Sequence, residues 1–173
     1  AGFSDSKEHF IHREYFQKTL NEFFLASKLF NRAYTKPLGY AGDYEMMNII
    51  YRNEYEGKDL FSQVMSKIDC EGSAAKAVRN RREYFCQKIL ALYESLDEGS
   101  EAKVVSVACG PCVELWDFFP RVKNSQRPVR IDFIARDQDP LALDDARNRL
   151  QPVSGDNSRF SVSFIQDNIR NLI

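Results

Sequence analysis

No apolar run in these 173 residues approaches the roughly 20 that a helix needs to span a bilayer, so nothing reads as a transmembrane segment. No basic, apolar, small-residue stretch of the signal-peptide kind opens the chain, and a cytoplasmic protein is expected. Neither charge is in excess: 24 Lys and Arg stand against 25 Asp and Glu. A dedicated nucleic-acid binder would show a basic surplus, so that class is disfavoured. Cysteine is scarce at four residues and histidine scarcer at two. The chain is long enough to bury a core without disulfide or metal staples, and four thiols fit a reducing compartment. His9 and His12 can share a helix face, but no third ligand accompanies them, and no metal site is expected.

What is present is unevenly placed. All eight Tyr lie between Tyr15 and Tyr93, whereas eight of the ten Val lie between Val104 and Val162. Valine favours strands, so strands should begin after residue 100. The change falls at the polar stretch Asp97-Glu98-Gly99-Ser100-Glu101. The expected fold class is α/β: a helical region over 1–98, then a Rossmann-like parallel-sheet region over 99–173.

Four helices are expected in the first region. One runs from about Ser6 to Asn31, with Phe16, Leu20, Phe23 and Phe24 along one face. Asp43 caps a second that continues to about Tyr51, burying Met46, Met47 and Ile50. Asp59 caps a third with the apolar stripe Leu60, Phe61, Val64, Met65 and Ile68. Ser73 caps a fourth, in which Val78, Phe85, Ile89, Leu92 and Leu96 keep helical spacing. Before the second helix, Lys36-Pro37-Leu38-Gly39-Tyr40-Ala41-Gly42-Asp43 packs one Pro and two Gly into six residues. It reads either as a tight helix–helix connection or as a lid whose Tyr40 and glycine backbone touch a ligand.

The second region reads as strand, helix, strand, helix, strand. Lys103–Ala108 is the first strand; Cys109-Gly110-Pro111-Cys112 turns into a helix over Val113–Phe119 that ends before Pro120. Val129–Arg136 is the second strand, followed by Asp137-Gln138-Asp139-Pro140 and a helix from Leu141 to about Leu150. Asp139 as cap with Pro140 at the first helical position is a strong start signal. Arg159–Ile165 is the third strand. Alternation of this kind gives a parallel sheet, and ligands bind at the carboxyl ends of its strands.

Those strand ends carry the chemistry. Gly110 lets a nucleoside approach the backbone. Asp137, 27 residues later, can accept both ribose hydroxyls. Asp167 can accept from an adenine amino group, and Asn168 adds amide or backbone contacts. Together they point to an adenosine-containing ligand. A dinucleotide fingerprint would need Gly-x-Gly-x-x-Gly to seat a pyrophosphate. Here Ala108 replaces the first Gly, and Pro111 removes an N–H that a phosphate would use. A phosphate-free ligand such as S-adenosylmethionine tolerates both changes.

Ser106-Val107-Ala108-Cys109-Gly110-Pro111, Asp137-Gln138-Asp139-Pro140 and Gln166-Asp167-Asn168 resemble the first three nucleoside-binding motifs of class I S-adenosylmethionine-dependent methyltransferases. Lys36–Met47, followed by Ala77-Val78-Arg79-Asn80-Arg81-Arg82, resembles a bacterial subgroup with a helical N-terminal region. Some members of that subgroup are linked to making hydroxypalmitic acid methyl ester. The resemblance covers about residues 30–170. It implies Tyr40, Arg81, Ala108, Gly110, Asp137, Gln138, Asp167 and Asn168 as cofactor-binding residues, and a small molecule as methyl acceptor. Departures are Ser106, where many members carry an acid contacting the methionine amino group, and Ala108 and Cys112, at usual glycines.

Cys109-x-x-Cys112 has metal or redox spacing but lies inside the nucleoside loop and lacks a second pair. The Lys76, Arg79, Arg81, Arg82 cluster is either a solvated helix face or includes one arginine that pairs with a carboxylate. No residue reads as a catalytic base, which accords with a carboxylate acceptor, already ionised at neutral pH. The competing function is a non-catalytic cofactor-binding or partner-docking module. A methyltransferase core of this class has seven strands and only three are visible. The expectation is therefore a fragment, inactive by itself, with an open sheet edge through which copies associate.

Overall fold

The computed structural model describes residues 7–154 and 159–168. Among them the chain forms eight helices and one three-stranded parallel sheet, an α/β fold. It divides into two compact units, Ala1–Lys76 and Ala77–Ile173. The division falls earlier than the polar stretch at Gly99 suggested. The reason is that helix α6 (Ser73–Ser95) buries Cys86, Ile89 and Tyr93 in the same core as the strands.

In the first unit, the single long helix expected over Ser6–Asn31 is three: α1 (Lys7–Thr19), α2 (Asn21–Leu25) and α3 (Lys28–Thr35). The break has a local cause. Ser27 is extended, and its side chain accepts from the Phe30 N–H at 3.2 Å, so a new helix starts there. Lys36 ends α3 in the left-handed region, at φ 49°. Asp43 then caps α4 (Tyr44–Arg52), accepting from the Met46 N–H at 2.8 Å. The same carboxylate, 1% exposed, accepts from Arg32 Nε at 2.7 and 3.0 Å. The α3–α4 segment is thus a connection pinned by its own cap. Asn48, Ile49 and Ile50 are the buried residues of α4, while Met46 and Met47 are half-buried.

Helix α5 (Leu60–Glu71) begins as expected, with a capping box between Asp59 and Ser62. Gly57 is required beside it, because a Cβ there would lie 2.3 Å from Ser62 Oγ and 2.8 Å from the Gln63 nitrogen. The buried face is the reverse of the one its hydrophobic pattern suggests. Ser62, Ser66 and Cys70 are buried, whereas Leu60 is 76% and Ile68 57% exposed. Polar bonding decides this. Ser66 Oγ accepts from the Lys28 N–H, an orphan donor at the start of α3, at 2.7 Å, and Cys70 Sγ donates to the Ile49 carbonyl at 3.8 Å.

In the second unit, β1 (Glu101–Val107), β2 (Arg130–Asp137) and β3 (Phe160–Gln166) pair in the order β1-β2-β3, all parallel. Glu101 faces Arg130 and Ile131 faces Phe160 at the start of each ladder. Helix α7 (Val113–Val122) runs through Pro120 instead of stopping before it; burial of Phe118, Phe119 and Val122 holds its last turn. Helix α8 (Pro140–Ser154) starts at Asp139, whose carboxylate accepts from the Leu141 N–H at 2.9 Å. The core is aromatic. Phe118 lies 5.5 Å from Phe133, 5.6 Å from Phe160 and 6.0 Å from Tyr93, measured between ring centres. Ile131, Phe133 and Ala135 are buried against these helices, while Val105 and Val107 on the opposite face of β1 are 48% and 42% exposed. No helix among the described residues is long and apolar enough to cross a membrane.

Candidate functional site

Parallel strands end on the same side, so the three loops that follow β1, β2 and β3 meet. The first is Ala108-Cys109-Gly110-Pro111-Cys112. Ala108, Gly110 and Cys112 all have left-handed backbones, at φ 52°, 53° and 51°. Two of these are the positions where the resemblance expects glycine. The chain keeps the backbone path a glycine loop would take and carries the strain of two L-residues, roughly 1–2 kcal/mol each. At Gly110 a Cβ would meet nothing within 4 Å, so the backbone there is open to a ligand.

Asp137 organises the loops. Its Oδ2 accepts from the Gly110 N–H at 2.8 Å and its Oδ1 from the Asp139 N–H at 3.0 Å. Its carbonyl accepts from the Asp167 N–H at 3.0 Å. One residue at the end of β2 thereby ties the first, second and third loops together. Each carboxylate oxygen has a further lone pair with which to accept a hydroxyl. The second and third loops are joined again: Gln166 Nε2 donates to the Gln138 carbonyl and Asn168 Nδ2 to Gln138 Oε1, both at 3.4 Å. Asp167 pairs with Arg136 at 2.9 Å, a partner the sequence reading did not include. Ala108, Gly110, Asp137, Gln138, Asp167 and Asn168 are thus brought to one end of one sheet. Tyr40 belongs to the first unit, half-buried on the α3–α4 loop.

The basic cluster on α6 separates by partner. Lys76 pairs with Glu71 at 3.3 Å. Arg82 grips Asp117 through Nε and Nη2, each at 2.5 Å, and lies over the Trp116 ring. Arg81, exposed, exerts its charge on Glu114.

Glu114 is the residue that sequence reading missed. It stands in the first turn of α7, and its Oε1 accepts from Ser106 Oγ at 3.3 Å and from Cys112 Sγ at 3.7 Å. Burial pushes its carboxyl above the ordinary range, against which its own backbone N–H, Ser106, Cys112 and Arg81 work. The available signal was Ser106 in place of an acid, with a Glu eight residues later. The Cys112 thiol is held well above its ordinary pKa, first by its hydrogen bond with Cys109 and then by burial. At neutral pH it is therefore a thiol and not a thiolate nucleophile. All four cysteines are thiols, and among the described residues no group of three or more His, Cys, Asp or Glu is placed to hold a metal ion.

A separate groove of about 750 Å³ lies in the first unit, lined by residues that include Leu25, Lys28, Arg32, Pro37 and Ile49. Of its cations, Lys28 and Arg32 are engaged by Glu56 and Asp43, and Lys58 also lines it. The strand-end loops remain the better candidate.

No protein-family profile matches the chain, and no curated protein matches it. Among solved structures, one described as a possible exported protein from Bordetella parapertussis is similar at a TM-score of 0.51 with 17% identity. The likeness covers 95% of this chain and 58% of that one, so this chain spans well under two thirds of its neighbour's length. At that identity the likeness is one of fold.

Proposed function

We propose that this chain carries the nucleoside-binding part of an S-adenosylmethionine-dependent methyltransferase acting on a small molecule. The observation that carries the reading is Asp137. It sits at the end of β2, bonded to the Gly110 N–H, at the point where an acid can receive ribose hydroxyls from a ligand lying against the Gly110 backbone. The open side of Gly110 fits a nucleoside, and Pro111 disfavours a pyrophosphate there.

When bound, S-adenosylmethionine supplies a methyl group on a sulfonium, already activated for displacement. This chain's residues have the task of binding and orienting. Asp137 accepts the ribose hydroxyls, Gly110 permits close approach, and Asp167, held by Arg136, accepts from the adenine amino group. Gln138 and Asn168, bonded to each other, border the same space. A carboxylate acceptor such as that of a hydroxy fatty acid needs no general base, which accords with a site rich in binding groups and without a histidine. Thiol cysteines suit a cytoplasmic setting. The outer edge of β1 is a place for self-association.

The Asp137→Ala variant tests the site. Calorimetry should show affinity for S-adenosylmethionine falling on the order of 10- to 100-fold, the value of charge-assisted hydrogen bonds. An unchanged affinity in a folded variant would remove Asp137 from the site and the reading with it.

A further inference from the structure

Strand β1 ends without an acid: Ser106 occupies the inward position there. A ligand with a positively charged amino-acid end needs an anion at that place, and the fold brings one from elsewhere. Glu114 reaches back from the first turn of α7 to within 3.3 Å of Ser106 Oγ. Its carboxylate is half-buried under the left-handed loop Ala108–Cys112, with the Cys112 thiol as its second donor. Ser106 and Cys112 each contribute one hydrogen to Oε1, and a carboxylate with about four lone-pair sites keeps acceptor capacity beyond these two bonds. Arg81 on α6 is the cation whose field reaches this carboxylate.

We propose that Glu114 is the binding residue for the ammonium group of the ligand's amino-acid end, in place of an acid on β1. This rests on the S-adenosylmethionine reading above and makes it more specific: the ligand must carry a free α-amino acid, and nucleosides without one bind by the Asp137 side alone. Glu114 then acts on selectivity, while Asp137 acts on every adenosine ligand.

The test compares two probes by calorimetry at neutral pH. One is S-adenosylmethionine. The other is 5′-methylthioadenosine, a neutral thioether that keeps the nucleoside but lacks the amino-acid end. As a control, S-adenosylhomocysteine, a neutral thioether that keeps that end, should lose affinity in step with S-adenosylmethionine, which separates the ammonium from the sulfonium charge. In Glu114→Gln, an isosteric change that retains an acceptor for Ser106 and Cys112, affinity for S-adenosylmethionine should fall on the order of tenfold or more. Affinity for methylthioadenosine should stay within about twofold of the wild type. Asp137→Ala should weaken both. Equal loss of both probes in a folded Glu114→Gln protein, or loss of neither, would overturn the Glu114 assignment while leaving the parent reading intact. Absence of binding of either probe to the folded wild type would overturn both.

Discussion

Burial raises the Glu114 carboxyl while Arg81, on α6, pulls it down, and the neighbours that face it from β1 and the loop, Ser106 and Cys112, are uncharged. An acid whose folded pKa lies above its unfolded value of about 4.5 binds its proton more tightly when folded. Its ionised form therefore destabilises the fold above the folded pKa, and this loss disappears as pH falls towards the unfolded pKa. Glu114→Gln should be more resistant to urea than the wild type at pH 7, with the gap closing near pH 4.5. Urea titrations across that range measure it. A variant less stable than the wild type at every pH would mark Glu114 as a structural residue. Arg32 and Asp43 form an ion pair at 2.7 Å. Asp43 is buried and paired with Arg32, so Arg32→Ala should destabilise the first unit by about 3 kcal/mol, read from thermal melts. At this scale Asp43, Asp59 and Asp139 were legible as caps because a cap depends on three or four neighbouring residues. Glu114 was not, since its meaning depends on which strand end α7 folds back upon.

At the scale of elements, periodicity located helices and strands but misjudged which face α5 buries. Its large apolar side chains form the obvious stripe, yet the packing is set by small residues that satisfy backbone groups of α3 and α4. Changing Leu60 or Ile68 to Lys should therefore alter stability by no more than about 0.5 kcal/mol, as at ordinary exposed positions. Ser66→Leu should cost about 1–3 kcal/mol through overpacking and an unpaired Lys28 N–H. Equilibrium urea unfolding compares the three, and a larger loss at Leu60 than at Ser66 would contradict the observed face. The strands were legible to within a residue or two because β-branched runs bounded by turns leave few alternatives. The break at Ser27 was not, because a serine inside an amphipathic pattern reads equally as a polar face position.

For the molecule as a whole, the chain's α/β order was legible because valine and tyrosine separate so clearly along it. The boundary between its two units was not, since α6 reads as one more amphipathic helix until its Cys86, Ile89 and Tyr93 are seen in the sheet's core. The candidate site belongs to the second unit alone, where three loops converge on Asp137. The proposed function requires that this convergence receive an adenosine ligand without phosphates. Calorimetric titration of the folded chain with S-adenosylmethionine and, side by side, with NAD tests it most directly. The expected result is saturable binding of S-adenosylmethionine at one site and no measurable binding of NAD. Binding of NAD in preference, or no binding of S-adenosylmethionine by protein whose circular dichroism shows it folded, would contradict it.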